Sequence, residues 1–428
     1  MGNINTVVFG KRQKIKIAFR KLNYYIYKLI TTFDRFVFKI QNKRNSSKIL
    51  VVFDCSSEDE FSNALNKIFW ALPSKKGLKI EILQKKSSKN FDLKDFTKPR
   101  YQNNFFTDNK TNISLIEKIR YKNLFDYDSI LLTKYKQILF FLFPGIISKV
   151  VVADPYFFSH SEGSVWMRIY SSTINESEKF AFRQNSISNF DILSKKFSNT
   201  DNSYCFLTGP NFSMYKEFEF DSNSLKIVCN TIIKDKEFLE YINGPDLITF
   251  ADPVFHFGPS QYAHDYRRLV LEVVKEYECL IVVPEVTVPL MLNHFPKLKN
   301  YIIGIDTTGE YNFPTSKNLN VYPMRSIVNL FMLPLASSLT NNIHFIGADG
   351  REKGEKYFWK HNDKVQFKGL MNTVFETHPS FFRDRDYASD FYNHSKDFEK
   401  LIVWGEKNGK KYYSLTPSHI PILKARMK

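Results

Sequence analysis

Glycine is scarce in this chain of 428 residues: there are 16, beside 17 prolines and four cysteines. The glycine-rich phosphate signatures are missing with it. No Walker A sequence, GxGxxG, GxSxG or HExxH occurs, which removes the sequence grounds for a P-loop NTPase, a dinucleotide fingerprint, a nucleophile-elbow hydrolase or a zincin. Cys55, Cys205, Cys229 and Cys279 have no CxxC or metal-ligand spacing and fall in or beside apolar segments. They read as small core residues in a reducing compartment, with no disulfide framework. The nine histidines form no cluster with metal-ligand spacing, so no catalytic metal and no cofactor is expected. No run of about 18 apolar residues is present, so no segment is expected to span a bilayer. The Met1-Gly-Asn start lacks a signal-peptide pattern, and Thr6 alone makes a weak myristoylation match.

Acidic residues are nearly absent from one region. Residues 1–48 carry twelve Lys/Arg against Asp34 alone, whereas the formal charge of the whole chain is +17. The basicity is therefore concentrated in an N-terminal arm (residues 1–47). Within residues 10–44, Ile17, Phe19, Tyr24, Tyr25, Tyr27, Leu29, Ile30, Phe33, Phe36, Val37, Phe38 and Ile40 are interleaved with Lys and Arg. That pattern suits a basic amphipathic helix on an anionic membrane surface. A helix packed on the body with a solvated basic face, or one that binds nucleic acid or a partner, fits the same pattern. A phosphate-tracking protein would spread its basic residues over a folded face, so no nucleic acid is expected.

Hydrophobic content of 43% and aromatic content of 16% describe a globular protein. Residues 48–160 read as an α/β domain, with strands at 48–53, 78–83, 128–132 and 149–153 and a helix over 58–72. Polar residues 85–112 read as a loop. Residues 161–202, rich in Ser and Asn with one helix, read as a connector. From 203 to 428 a second α/β domain is expected, with strands near 204–208, 226–230, 247–251, 279–283, 301–305, 343–346 and 412–415. Its helices are expected over 261–277, 287–294, 325–340 and 394–405. Strands alternating with helices imply two Rossmann-like domains with mostly parallel sheets.

Residues 203–234 are the richest stretch. A strand runs into Gly209-Pro210-Asn211, a helix is expected to start at Ser213, and a second strand ends in Cys229-Asn230. A glycine turn opening a helix places backbone amides against a phosphate. Other polar groups follow at strand ends: Asp252-Pro253, the turn Gly347-Ala-Asp349 leading to Arg351 and Tyr357, and His394-Ser395-Lys396 before a helix, while Arg325-Ser326 opens a helix. One such residue alone is a turn-former; the series at successive strand ends suggests a ligand edge. Asp384-Arg-Asp386 has the DxD spacing of metal-dependent sugar transferases, but its charged loop reads better as a solvated cluster.

In this order and spacing, residues 203–422 resemble the bacterial sialyltransferases of glycosyltransferase family 42, and more distantly the flagellin-glycosylation proteins. The resemblance implies a sialyltransferase-type GT-A variant with a lid near 350–393. It implies an inverting, metal-independent transferase that moves a nonulosonic acid from a CMP-sugar to a bacterial surface glycan or glycolipid. His394 would be the general base, Tyr357 would donate its O–H to the leaving phosphate, and Arg351, standing where the family has a tyrosine, would hold that phosphate. Gly209, Pro210, Asn211, Ser213 and Asn230 would contact the nucleotide. Asp252 would stand where an asparagine meets the donor, and Arg325, Ser326, Gly347, Asp349 and Ser395 would complete the donor site. Asp252 adds a negative charge there unless a cation offsets it. The aromatics of 357–382 would form the lid or pack a small subdomain. A donor such as Kdo or another nucleotide sugar would suit the same fold. A non-catalytic membrane- or nucleic-acid-binding protein is the competing class. The enzyme is expected in the bacterial cytoplasm, peripheral on the inner face of the membrane, and a homo-oligomer is an open expectation.

Overall fold

The structure is a computed structural model that describes residues 11–37, 48–55, 57–72, 77–84, 113–154, 163–171, 173–352, 355, 360–378 and 386–428. Two parallel sheets organise them, as the strand–helix alternation implied. The first holds β1 (Lys48–Phe53), β2 (Lys79–Gln84), β3 (Ile113–Ile116), β4 (Ser129–Leu132) and β5 (Val150–Val152) in the order β3-β2-β1-β4-β5. The second holds β6 (Asn202–Phe206), β7 (Leu225–Cys229), β8 (Leu247–Thr249), β9 (Leu280–Pro284), β10 (Ile302–Ile305), β11 (Asn342–Ile346) and β12 (Lys411–Ser414) in the order β10-β9-β8-β7-β6-β11-β12. Every pairing between these strands is parallel. Parallel strands are covered on both faces, so they read as continuous apolar runs; Ile49 to Phe53 is buried throughout.

Each sheet has one place where the strand order reverses, between β1 and β4 in the first and between β6 and β11 in the second. Chains leave such neighbouring strands in opposite directions and open a crevice at their carboxyl ends. All four cysteines are free and buried. Burial pushes the thiols of Cys55, Cys229 and Cys279 up to about 12, so they are not nucleophiles.

The reading of residues 161–202 needs correction. Residues 161–202 are not a connector with one helix. They hold helices Gly163–Ser171 and Glu176–Lys196. The first buries Val165, Trp166 and Ile169 in the N-terminal core. The second belongs to the C-terminal domain: Asn189 Nδ2 donates to Ile302 O at 2.8 Å and Ser186 Oγ accepts from Gly304 N at 3.0 Å. Its face is polar because it serves the backbone of an edge strand, which hides it from a hydrophobic pattern. Edge strand β3, four half-exposed residues long, also gave no pattern. The loop expected over 85–112 lies outside the described residues.

The domains meet where Tyr170 Oη donates to Pro289 O at 3.0 Å and His294 Nε2 lies 2.7 Å from Trp70 O.

Candidate functional site

The reversal between β6 and β11 brings two glycine turns together. Gly209 N–H donates to Gly347 O at 3.0 Å, and Leu207 N–H to Ile346 O at 2.8 Å. A Cβ on Gly209 would stand 2.6 Å from Asp349 Cγ, and one on Gly347 would stand 2.9 Å from Phe212 Cβ. Gly347 also has φ +71°, a conformation that L side chains avoid. The helix begins not at Ser213 but at Pro210, as the 3-10 helix Pro210–Glu217. Proline suits the first helical position because its φ is set and no N–H is needed there. Phe212 and Tyr215 anchor this helix edge-on against Phe238, at ring-centroid distances of 4.7 and 5.0 Å. Ser213 Oγ only turns back to Pro210 O at 3.4 Å.

The anion at this helix start is the protein's own. Asn211 N–H, expected to meet the nucleotide, donates to Asp349 Oδ2 at 2.7 Å. Asp349 is 5% exposed, and its Oδ1 has no hydrogen-bond partner among the described residues. Burial pushes this carboxyl up to about 6, against the pull of the Asn211 amide and of His419. Two residues on, Arg351 donates to Glu355 O while its Nη1 stays buried without a hydrogen-bond partner among the described residues.

The segment 416–419 latches this turn. Gly347 N–H donates to Thr416 Oγ1 at 2.9 Å, Ser418 Oγ to Ala348 O at 2.6 Å and His419 N–H to Asp349 O at 2.5 Å. Sequence reasoning missed three further residues at the mouth. Thr208 Oγ1 lies 2.6 Å from His361 Nδ1, and Asn362 donates through N–H to Thr208 O at 2.7 Å and through Nδ2 to Pro210 O at 3.2 Å. Thr208 could have been found by its place just before Gly209, and His361 and Asn362 only by their position after the Gly347 turn.

A second cluster gathers Arg325, Ser326, His394 and Ser395. Ser326 has φ +67°, and a π-helical turn, Val328–Met332, follows it; such turns recur at functional sites. The oxygens Ser326 Oγ and Ser395 Oγ are buried without partners among the described residues. His394 does not precede a helix as expected. It lies inside the helix Tyr387–Lys407 and is 0% exposed. Asn329, which the sequence did not single out, places Nδ2 at 3.0 Å from both His394 Nδ1 and His394 O. Burial pushes the imidazole down to about 3, opposed by a bond to the Arg325 backbone. Arg325 pairs with Asp390 at 3.3 Å.

Asp252 is occupied elsewhere than at a donor. It caps helix Pro253–Phe257, Oδ1 accepting from Val254 N and Phe255 N at 3.0 Å each, and Oδ2 lies 3.2 Å from His378 Nε2. Burial alone would raise its carboxyl, but His378, the Phe255 amide and His256 hold it well below the usual range. The partner of the Asp252 carboxylate is thus a histidine from the segment expected as the lid. That segment packs down: Phe367 meets Tyr262 at 5.4 Å, Val374 joins Phe255 and Tyr262 in a small core, and Lys234 Nζ donates to Gln366 O at 2.9 Å. Asn230 ends β7 with φ +49°, half-buried. Asp386 is a helix cap that accepts from Ser389 N at 3.2 Å. Tyr357, Phe358, Trp359, Phe381, Phe382 and Asp384 lie outside the described residues.

Among the described residues, no group of three or more His, Cys, Asp or Glu could hold a metal ion, and no helix is long and apolar enough to cross a membrane. The structure therefore brings Gly209, Pro210, Asn211, Gly347, Asp349 and Arg351 into one crevice, groups Arg325, Ser326, His394 and Ser395 in a second cluster, and gives Asp252 a structural partner. Compared with family models, curated proteins and solved structures, the chain matches none of them.

Proposed function

We propose that this chain is an inverting glycosyltransferase that moves a nonulosonic acid from a CMP-sugar to a bacterial glycan or glycolipid. The observation that carries the reading is the pair of orphaned groups in one turn at the β6/β11 reversal: an acceptor, Asp349 Oδ1, and a cation, Arg351 Nη1. A buried polar group without a partner is costly, and a nucleotide supplies both partners at once. A ribose hydroxyl would donate to Asp349, and the donor phosphate would accept from Arg351. Gly209 and Gly347 let the two turns approach each other closely.

In the transfer, the acceptor oxygen bonds to the anomeric carbon as the bond from that carbon to the CMP phosphate oxygen breaks. The hydroxyl proton goes to His394, whose burial keeps the ring neutral while lowering its basicity. His394→Ala should then abolish transfer while leaving CMP binding intact; full transfer would remove His394 from the mechanism. Because Asp252 is committed to His378, Kdo or another nucleotide sugar is the second reading of the donor.

The test is thermal unfolding with CMP, CDP, UDP, GDP and ADP, with and without Mg²⁺. A ligand at 100 times its Kd stabilises by about 2.7 kcal/mol. CMP should shift the transition without metal, and Asp349→Asn and Arg351→Ala should each remove the shift. A shift only with a nucleoside diphosphate and Mg²⁺ would transfer the assignment to another sugar nucleotide. No shift with any of them would overturn it in favour of a binding protein.

A further inference from the structure

The helix Lys11–Val37 is docked by the wrong face for an ordinary amphipathic helix. Its contact face holds Tyr24, Tyr27, Thr31 and Asp34. Tyr27 Oη donates to Val150 O, and the Asp34 carboxylate accepts from Gly145 N at 2.8 Å and Ser148 N at 3.0 Å. Thr31 and Asp34 are buried. The large apolar residues look outward instead. Ile15, Phe19, Leu22, Ile26, Leu29 and Phe33 recur at helical spacing on one stripe, and Leu29 and Phe33 are 70% and 69% exposed. Lys16, Lys21 and Lys28, all exposed, fall on the flanks of that stripe.

We propose that this stripe is a membrane-docking surface, with the helix lying in the interface of an anionic lipid bilayer. Charge complementarity selects this occupant. Asp34 is the single acid of residues 1–48 and is turned into the body, so the outward surface of the helix offers cations only. A second copy brought face to face would set lysines against lysines, whereas anionic headgroups meet them on both flanks. The stripe supplies the apolar insertion, and the Asp34 and Tyr27 anchors fix the angle at which the body is held. The proposal does not depend on the glycosyltransferase reading.

The test is co-sedimentation of the full chain with vesicles of phosphatidylcholine alone or mixed with phosphatidylglycerol. The wild type should pellet with the anionic vesicles and only weakly with the neutral ones. Leu22→Glu with Leu29→Glu should abolish pelleting. Lys21→Glu with Lys28→Glu should weaken it by at least about 25-fold, at about fivefold per lysine. Both pairs are exposed, so the thermal transition should not move, and that control separates lost docking from lost folding. Failure of the wild type to pellet would overturn the proposal. So would unchanged pelleting of the Leu22/Leu29 variant, or a lipid-free dimer, seen by light scattering, that this variant converts to monomer.

Discussion

At the carboxyl edge of the five-stranded sheet, where β1 and β4 part, the polar groups answer one another. Asp54 N–H donates to Thr133 Oγ1 at 3.3 Å, Thr133 Oγ1 to Val52 O at 3.1 Å, and Lys134 pairs with Glu60. No glycine stands in Phe53-Asp54-Cys55 or Leu132-Thr133-Lys134. At the matching edge of the seven-stranded sheet, both turns are glycine turns, and an acceptor and a cation are left without partners. Both sheets have one reversal, yet among the described residues the first leaves Gln137 Nε2 buried without a hydrogen-bond partner after β4, whereas the second leaves an acceptor and a cation together in one glycine turn. An edge that gathers orphaned groups of both signs in one turn is where a ligand contributes most.

The largest effect should come from glycine. Gly347→Ala combines a positive φ with crowding by Phe212 and should cost about 3–4 kcal/mol. Gly77→Ala, in the N-terminal domain, has φ +89° but open space around it and should cost about 1–2 kcal/mol. Denaturant unfolding of both variants compares strain with strain plus crowding; equal losses would mean that the contact with Phe212 adds nothing at Gly347.

Acid should separate the domains next. His256, His344 and His394 are all in the C-terminal domain, and burial pushes them down to about 4, 4 and 3. A depressed folded pKa stabilises above the unfolded value near 6.5, and that stability is lost as pH falls toward the folded value. Between pH 7 and 5 each ring should cost about 2 kcal/mol. Asp349 acts in the opposite direction. Its raised pKa makes its ionisation oppose folding, so its contribution is complete at low pH and lost as pH rises through about 6. The net expectation is faster amide exchange at pH 5 in β6–β12 than in β1–β5; uniform exchange would contradict it.

Smaller effects follow. Asp252→Ala removes a helix cap and the partner of buried His378, and should lower stability by about 2–3 kcal/mol in thermal unfolding. Lys134→Ala, at a half-exposed ion pair of the other edge, should change it by less than about 1 kcal/mol. A larger loss at Lys134 would mean that the N-terminal edge is also under tension.

All the strands except edge strand β3 were legible because buried parallel strands are apolar runs. The turns were legible because Gly, Asn and Asp mark strand ends. The helix Glu176–Lys196 was not, since its buried side includes Ser186 and Asn189, which serve backbone groups of β10. His394 carried a misleading signal: its neighbours read as a helix start, yet the cap is Asp386, and a histidine in mid-helix has no pattern that reports burial.

The sequence by itself determined the α/β class, the two parallel sheets and the candidate turn residues, because hydrophobic runs and glycine are local facts. The tertiary structure decided which of those turns meet. Asn211 and Asp349 are 138 residues apart in the chain yet 2.7 Å apart in space, a closure that depends on where β11 inserts in the sheet. It also decided that Asp252 pairs with His378, and that the apolar stripe of the first helix faces outward. Periodicity shows that a helix has two faces; only the Asp34 and Tyr27 bonds to the loops before β5 and to β5 itself select which one is buried.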